Sequence, residues 1–261
     1  MGRLSSAFGI AKAKILTKKG LLGDIMKIAE MTGSRFDNVH KSVALLPIGS
    51  VERHGDHLPL GTDGTIPMFI AERAGEVLKC LVLPVVWYGS CHAMRAFPGT
   101  FDIDSETLYR YLKSIMVEAH RNGVKLLVAV NGHGVNTTPI SMAAREASRN
   151  SDLSIIVLDW WKELGIEKLK IFTSPGHAGE DETSTMLAIS KASVDMKRAK
   201  AHEVTYPKFK IYSKRIDEEL YSIALTGDAR KAARKKGEEL LDAVVHDLVA
   251  IVEETRQMLA F

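Results

Sequence analysis

Leu45-Leu46-Pro47-Ile48-Gly49-Ser50-Val51-Glu52-Arg53-His54-Gly55-Asp56-His57-Leu58-Pro59-Leu60-Gly61-Thr62-Asp63 is the stretch on which the fold turns. Its apolar start reads as a buried strand that breaks at Gly49 into a loop dense in His, Asp and Glu. In α/β proteins ligands bind beyond the carboxyl ends of strands, so such a loop is where a site is expected. Glu52 and His54 stand two apart and on extended chain point the same way. Asp63 returns after a turn punctuated by Gly and Pro. The loop therefore reads as most of a metal centre, which the rest of the chain completes or covers.

Outward from this stretch, apolar runs alternate with helical periodicity. Residues 21–33 predict a short helix ending near Gly33, and Val43–Ile48 the first central strand. A helix is expected over 67–78 with Pro67 in its first turn, and a second strand over 81–86. Ser105 or Asp104 can cap a helix over 106–122 that Gly123 stops. Residues 124–130 form a continuous apolar run of the kind buried on both faces of a parallel sheet. A helix over 139–148, with Asn136 as its cap, and a strand over 153–158 follow. A loop over 173–182 leads to a helix over 183–190. Residues 197–227 lack periodicity and read as surface excursions with at most a short strand. A long amphipathic helix then runs from Gly227-Asp228 to about Met258. The alternation implies an α/β fold, a single three-layer α/β/α sandwich with a mostly parallel central sheet. Residues 1–40 are expected to form an N-terminal arm and short helix, and 41–261 the single domain that carries the candidate site.

The 261 residues suffice for a sizeable core, and 46% hydrophobic with 26% charged residues is an ordinary globular composition. A net charge of +3 with Lys and Arg dispersed among acids argues against nucleic acid as a partner. Cys80 and Cys91 make no disulfide framework and fit a reducing cytosol. No apolar run approaches the ~20 residues that span a bilayer. Lys12, Lys14, Lys18 and Lys19 mark residues 1–20 as a surface helix or frayed arm rather than a leader. A cytoplasmic protein without membrane partners is expected.

The candidate ligands are Glu52, His54 and Asp63 from the first loop, His133 after the strand at 124–130, and His177, Glu180 and Glu182 from the loop at 173–182. Mixed His and carboxylate ligands suit Zn²⁺ first, with Mn²⁺ or Fe²⁺ as alternatives. So many carboxylates exceed the needs of one catalytic zinc, and a carboxylate bridging two divalent ions is the economical explanation. Two such ions, about 3.5 Å apart, would lower the pKa of a shared water and polarise a carbonyl, chemistry that hydrolyses a C–N bond or an ester. His57 orients a ligand or serves the turn.

Five segments resemble the creatininase (creatinine amidohydrolase) family: Leu46 to Asp63 as quoted, Phe97-Pro98-Gly99-Thr100, Asn131-Gly132-His133-Gly134-Val135-Asn136, His177-Ala178-Gly179-Glu180-Asp181-Glu182-Thr183-Ser184, and Gly227-Asp228-Ala229-Arg230 followed by Lys236-Gly237-Glu238. They fall in the family's order over about residues 43–240. The resemblance implies a dinuclear metal-dependent hydrolase of a non-peptide or cyclic amide, assembled as a homo-oligomer, usually a hexamer. Glu52 would bind one metal, His54 and His133 the other, and Asp63 both. His177 would be the general acid/base. Val135 stands where creatinine-hydrolysing members carry a glutamate, so Glu182, rather than Glu180, would complete the first metal site and join His177 in catalysis. The same members carry tyrosine at the position of Gly134 and tryptophan at that of Thr173, and many relatives a Ser and a His where Cys91 and Met94 stand. The chemistry thus resembles the family's, while these positions depart from its creatinine-hydrolysing members. Other branches deformylate a pyrimidine intermediate of riboflavin and deazaflavin synthesis or trim a cofactor-precursor peptide.

Gly134, Trp160 and Cys91 are read as substrate contacts, and the N–H groups of Gly134 and Val135 as candidate oxyanion donors. The competing class is a non-catalytic module in which the same cluster grips an anionic metabolite or a structural metal. A proton shuttle beside the cluster separates the two: His177 more than about 8 Å from it would favour the module.

Overall fold

The computed structural model describes residues 25–149, 151–209 and 211–261. The chain enters the sheet at β1 (Met26–Lys27), passes through α1 (Gly33–Asn38) and reaches β2 (Val43–Ile48), buried along its whole length. There follow α2 (Thr62–Leu78), β3 (Leu81–Val82), α3 (Ser105–Arg121), β4 (Leu126–Asn131), α4 (Thr137–Arg149) and β5 (Ser154–Asp159). The short helices α5 (Trp160–Glu163) and α6 (Ile166–Leu169) lead to α7 (Glu180–Ile189). Beyond it come β6 (Ala201–His202), α8 (Lys214–Leu220), β7 (Gly227–Asp228) and the long α9 (Arg234–Met258). Five strands form one sheet in the order β1-β3-β2-β4-β5, every pairing parallel.

Alternation along the central strands divides the core in two. Val43, Leu45, Leu126, Val128 and Val130 pack toward α2 and α9 through Ile66, Ile70, Leu241, Val245 and Leu248. Ala44, Leu46, Ile48, Leu127 and Ala129 pack on the other face against Leu108, Leu112 and Met116 of α3 and Ile140 and Ala143 of α4. This is the expected three-layer sandwich. Pro47 is tolerated in a central strand because the β2–β3 ladder has already ended at Leu45–Val82; beyond it, the Pro47 carbonyl accepts from Val86 N–H at 3.0 Å.

Sheet order places the site. From β2 the chain crosses by α2 to β3 on one side, then returns by α3 to β4 on the other. The carboxyl ends of β2 and β4, paired from Val43–Leu126 to Ile48–Asn131, flank the point where the winding reverses. A crevice opens at such a point, and the loops carrying Glu52, His54 and His133 leave the sheet there.

Helix α7 starts at Glu180, before the expected 183, and α8 lies in the stretch expected to hold at most a short strand; four further boundaries differ from the sequence expectation. The helix expected over 21–33 is, from Met26, an edge strand and a single 3₁₀ turn (Ile28–Glu30), because pairing with Leu81 and Val82 holds that chain extended. Gly33 opens α1, with Thr32 as its cap, instead of ending a helix. Residues 1–24, with the lysine-bearing arm, lie outside the described residues. The second strand shortens to Leu81–Val82, since Pro84 interrupts it, and only an isolated Ile48–Val86 bridge remains beyond. The C-terminal helix starts at Arg234, because Gly227–Asp228 pairs antiparallel with Ala201–His202.

The fourth difference matters most. Helix α2 begins at Thr62, five positions before the expected start at residue 67, so Asp63 lies in its first turn and Pro67 inside it. Pro67 offers no N–H to the carbonyl of Asp63 four residues earlier. That carbonyl lies instead against Gly132, where an added Cβ would sit 2.0 Å from it; a Cβ on Gly49 would lie 2.4 Å from the backbone of Gly64. Glycine at both strand tips lets the first turn of α2 seat directly on the sheet.

Gly132→Ala is therefore expected to destabilise the protein by at least the ~1–3 kcal/mol typical of overpacking, because the obstructing atom is backbone. Gly33→Ala, with nothing within 4 Å of the new carbon, should stay within about 0.5 kcal/mol of the parent. Urea denaturation of the two variants side by side checks the contrast.

Candidate metal centre

Asp63 is the hub of the cluster at the switch point. Its Oδ1 lies 2.9 Å from His54 Nε2, which is itself 3.6 Å from Glu182 Oε2. Its Oδ2 lies 2.9 Å from His133 Nδ1, which is 3.3 Å from Glu52 Oε1. Two sets of potential ligands thus meet on opposite oxygens of one carboxylate: His54, Asp63 and Glu182 on one side, and Glu52, Asp63 and His133 on the other. Within each, the ligand atoms lie within 4.8 Å of one another. His177 adds a third set with Glu52 and His54. The two histidines expected to share one metal are instead divided between the two sides, because β2 and β4 deliver them from opposite flanks of Asp63.

The residues fit divalent cations. Both oxygens of Glu52 and Oδ2 of Asp63 are buried without a hydrogen-bond partner. His133 Nδ1 stands close to two of these oxygens without making a hydrogen bond to either. Lone pairs that approach without pairing point toward a common centre. Buried carboxylates left uncompensated cost several kcal/mol each, and a cation between them removes that penalty.

Proton affinities express the same crowding. Burial, reinforced by the neighbouring Asp63 charge, raises the Glu52 carboxyl well above its ordinary range. Burial also takes Glu182 up to about 8. Burial opposes a charged His54, but the Asp63 carboxylate outweighs it and lifts the imidazole to about 10. Asp63 feels the converse: burial favours its neutral form, yet His54 and His133 hold it below the usual carboxylate range. Burial, with repulsion from His54, depresses His177 to about 3.

His177 is held in one orientation. Its Nε2 is 2.9 Å from the Arg53 carbonyl, an atom that can only accept, so Nε2 carries the proton. Nδ1 is left facing Glu52 Oε1 at 3.6 Å. This is well inside the distance that separates a shuttle from a bystander.

The surrounding hydrogen bonds fix the loops. Asn131 Oδ1 accepts from His133 N–H, while its Nδ2 donates to Asp159, which also takes the Thr137 hydroxyl. Asn136, expected as a helix cap, instead bridges two loops: its amide donates to the Gly49 carbonyl and its Oδ1 accepts from Ser90 N–H. His57 lies outside the ligand sets; its Nε2 is 2.9 Å from the Thr183 hydroxyl, which leaves it a loop-fastening role. Glu180 is also outside them. It pairs with Lys236 and accepts from Thr173 and Ser174 N–H, bracing the loop before α7. Glu182, two residues on, faces the centre and accepts from Ala178 N–H at 2.7 Å.

The cavity over the cluster holds about 530 Å³. Gly134 and Cys91 line it, but Trp160 does not: it is 1% exposed, packed in the core beneath α9, and its neighbour Trp161 forms the wall. Burial raises the Cys91 thiol to about 12, so it presents a neutral surface and no nucleophile. Of the two adjacent tryptophans the sequence offers as a substrate wall, the structure selects Trp161; the sequence reading does not find Tyr206 and Tyr221, both lining residues. The only available signal was the presence of two tyrosines in an otherwise aperiodic stretch. Among the described residues no helix is long and apolar enough to cross a membrane.

Sequence and fold are similar to those of known proteins. The family model for creatininase, described as creatinine amidohydrolase, matches residues 29–252. The creatinine amidohydrolase of Pseudomonas putida is 30% identical over 233 residues, covering 81% of this chain and 89% of that protein. The mycofactocin precursor peptide peptidase of Mycobacterium tuberculosis is 30% identical over 194 residues, covering 67% and 69%. A solved structure of creatininase in a manganese form superposes with a TM-score of 0.80 at 27% identity, covering 89% of this chain and 99% of that one.

At neutral pH the chelated protein should hold protons on His54 and Glu182 that ligation must displace. Loading Zn²⁺ at pH 7 is expected to release protons, so the calorimetric heat should vary with the ionisation enthalpy of the buffer; a buffer-independent heat contradicts it. The sign for stability follows. His54 at about 10 against an ordinary 6.5, and Glu182 at about 8 against 4.5, bind more protons folded than unfolded. Between about pH 7 and 10 the chelated protein should therefore lose stability as pH rises. The Zn²⁺-loaded protein should lose less, as thermal melts across that range will report.

Proposed function

Because the chain belongs to the creatininase family, we propose that it is a dinuclear metal-dependent amidohydrolase, opening a non-peptide or cyclic C–N amide bond of a small molecule. The observation that carries this reading is the meeting of two ligand sets on opposite oxygens of Asp63, with His177 Nδ1 turned toward them. His54, Asp63 and Glu182 would hold one divalent ion, and Glu52, Asp63 and His133 the other, with Zn²⁺ the first expectation and Mn²⁺ or Fe²⁺ alternatives. Bound there, such ions supply a water of lowered pKa and polarise the substrate carbonyl.

The chain's own residues do the rest. His177, neutral and with Nε2–H tied to the Arg53 carbonyl, offers the Nδ1 lone pair to a proton from the attacking water. It then returns that proton to the departing nitrogen. Asn131 and Asp159 hold the His133 backbone in place. Trp161, Tyr221 and Cys91 wall the cavity against bulk water. The nearness of His177 to the cluster favours catalysis over a silent binding module.

A second reading, hydrolysis of a longer amide such as a formamide arm or a short peptide, draws on a neighbouring groove of about 980 Å³ that shares Ala93, Gly134, Val135 and Tyr221 with the inner cavity. A creatinine-sized ring would leave that groove empty.

Asp63→Ala should remove both bound metal and turnover while leaving the far-ultraviolet dichroism of the fold intact. His177→Gln should keep the metal and lower kcat by about 10²–10⁴-fold. Metal analysis, followed by a screen of creatinine and other lactams, formamides and short peptides, checks both. Full activity in Asp63→Ala, or in exhaustively chelated protein, would refute the proposal.

A further inference from the structure

Residues 224–226 run as a seam between the two loops that supply the centre. The Ala224 carbonyl accepts from Gly55 N–H at 2.7 Å, tying the seam to the loop of Glu52 and His54. Thr226 then brackets His177 from both sides of its peptide units. Thr226 N–H donates to the His177 carbonyl at 2.8 Å, and Thr226 Oγ1 accepts from His177 N–H at 2.9 Å. The same Oγ1 accepts the Tyr206 hydroxyl proton at 2.9 Å. Thr226 is 1% exposed, so these partners cannot be replaced by bulk water. Against the imidazole itself stands the ring of Tyr221, edge-on at 87° with centroids 5.9 Å apart.

The proton-shuttle geometry needs two things at once. Nε2–H must stay on the Arg53 carbonyl, and Nδ1 must stay turned to the centre. One hydrogen bond leaves the ring free to swing about χ1 and χ2; a fixed backbone and a ring wall remove that freedom. We propose that Thr226 and Tyr221 are positioning residues for His177, with Tyr206 holding Thr226 in register, so that the aperiodic stretch before β7 sets the tautomer and aim of the imidazole. None of the three need touch the reacting atoms in this role. The inference rests on the reading of His177 as the proton carrier for its consequence. Its test does not, because a tautomer is measured without any substrate.

The experiment uses full-length, Zn²⁺-loaded protein carrying ¹⁵N-histidine, with long-range ¹H–¹⁵N spectra of the imidazoles and the His177 signals identified by their loss in His177→Gln. The parent should show a protonated Nε2 and a free Nδ1. Thr226→Val, similar in volume but without the oxygen, should lower the ratio of this tautomer to its alternative by about fivefold, the effect of roughly one hydrogen bond. Thr226→Ser should restore the parent ratio, and zinc content should not change in either. Tyr206→Phe, at a half-exposed position whose substitution spares the core, should shift the ratio the same way but less. It keeps the question open to refutation should Thr226→Val not fold. An unchanged ratio in the variants that fold, a Ser variant as impaired as Val, zinc lost together with the tautomer, or a His177 signal showing direct zinc ligation would each overturn the proposal. Failure here leaves the hydrolase reading standing, and loss of the hydrolase reading leaves the tautomer result standing.

Discussion

The first turn of α2 sits closer to the sheet than any residue with a side chain would allow, and the candidate centre depends on that contact. The Asp63 carbonyl occupies the space a Cβ of Gly132 would fill, and the Gly64 backbone the space of one on Gly49. These two glycines end the two strands that flank the winding reversal, β2 and β4. One carboxylate is thereby delivered to within 2.9 Å of histidines arriving from both strands. A helix held a side chain's thickness farther away would leave Asp63 short of at least one of them. Pro67 belongs to the same arrangement, since a helical N–H there would draw the Asp63 carbonyl back into the helix.

Delivering that carboxylate has an electrostatic cost that the rest of the site is arranged to contain. Three carboxylates and three histidines meet in a largely buried space, and burial alone pushes Glu52 and Glu182 toward their neutral forms. Several groups just outside the cluster are, by contrast, hydrogen-bonded. Asn131, Asp159 and Thr137 form a closed network, and Glu180 is neutralised by Lys236 and two N–H donors. Unsatisfied buried oxygens therefore concentrate on Glu52 and Asp63. A polar network satisfied at its edge and unsatisfied at its middle has the form of a built receptacle for a cation.

Much of this was legible in the sequence. Continuous apolar runs gave the parallel strands, and the His- and Asp-rich segments after them gave the loops that converge. What was not legible depends on packing between distant segments. Proline favours a first turn, which points to a start of α2 at Pro67; only the contact with Gly132 shows why it is instead tolerated inside the helix. The division of His54 and His133 between the two oxygens of Asp63 follows from which strands neighbour each other, and no spacing along the chain encodes that. Trp160 and Trp161 are adjacent and chemically equal in the sequence, yet the helical turn of α5 buries one and gives the other to the cavity.

The aperiodic stretch before β7 borders a centre whose ligands lie elsewhere in the chain. The ligands sit on strand tips and helix starts, where displacement would break the sheet or the core. Tyr206 and Tyr221 sit on an excursion with a single short helix, α8, and little buried apolar surface of its own. Segments of that kind can vary at small cost to the fold. Tyr221 nevertheless borders both the inner cavity and the outer groove, and its ring stands against His177. Substitutions there can reshape what reaches the centre without moving a ligand. A chain can thus keep the centre at Asp63 while the shape of the cavity over it changes.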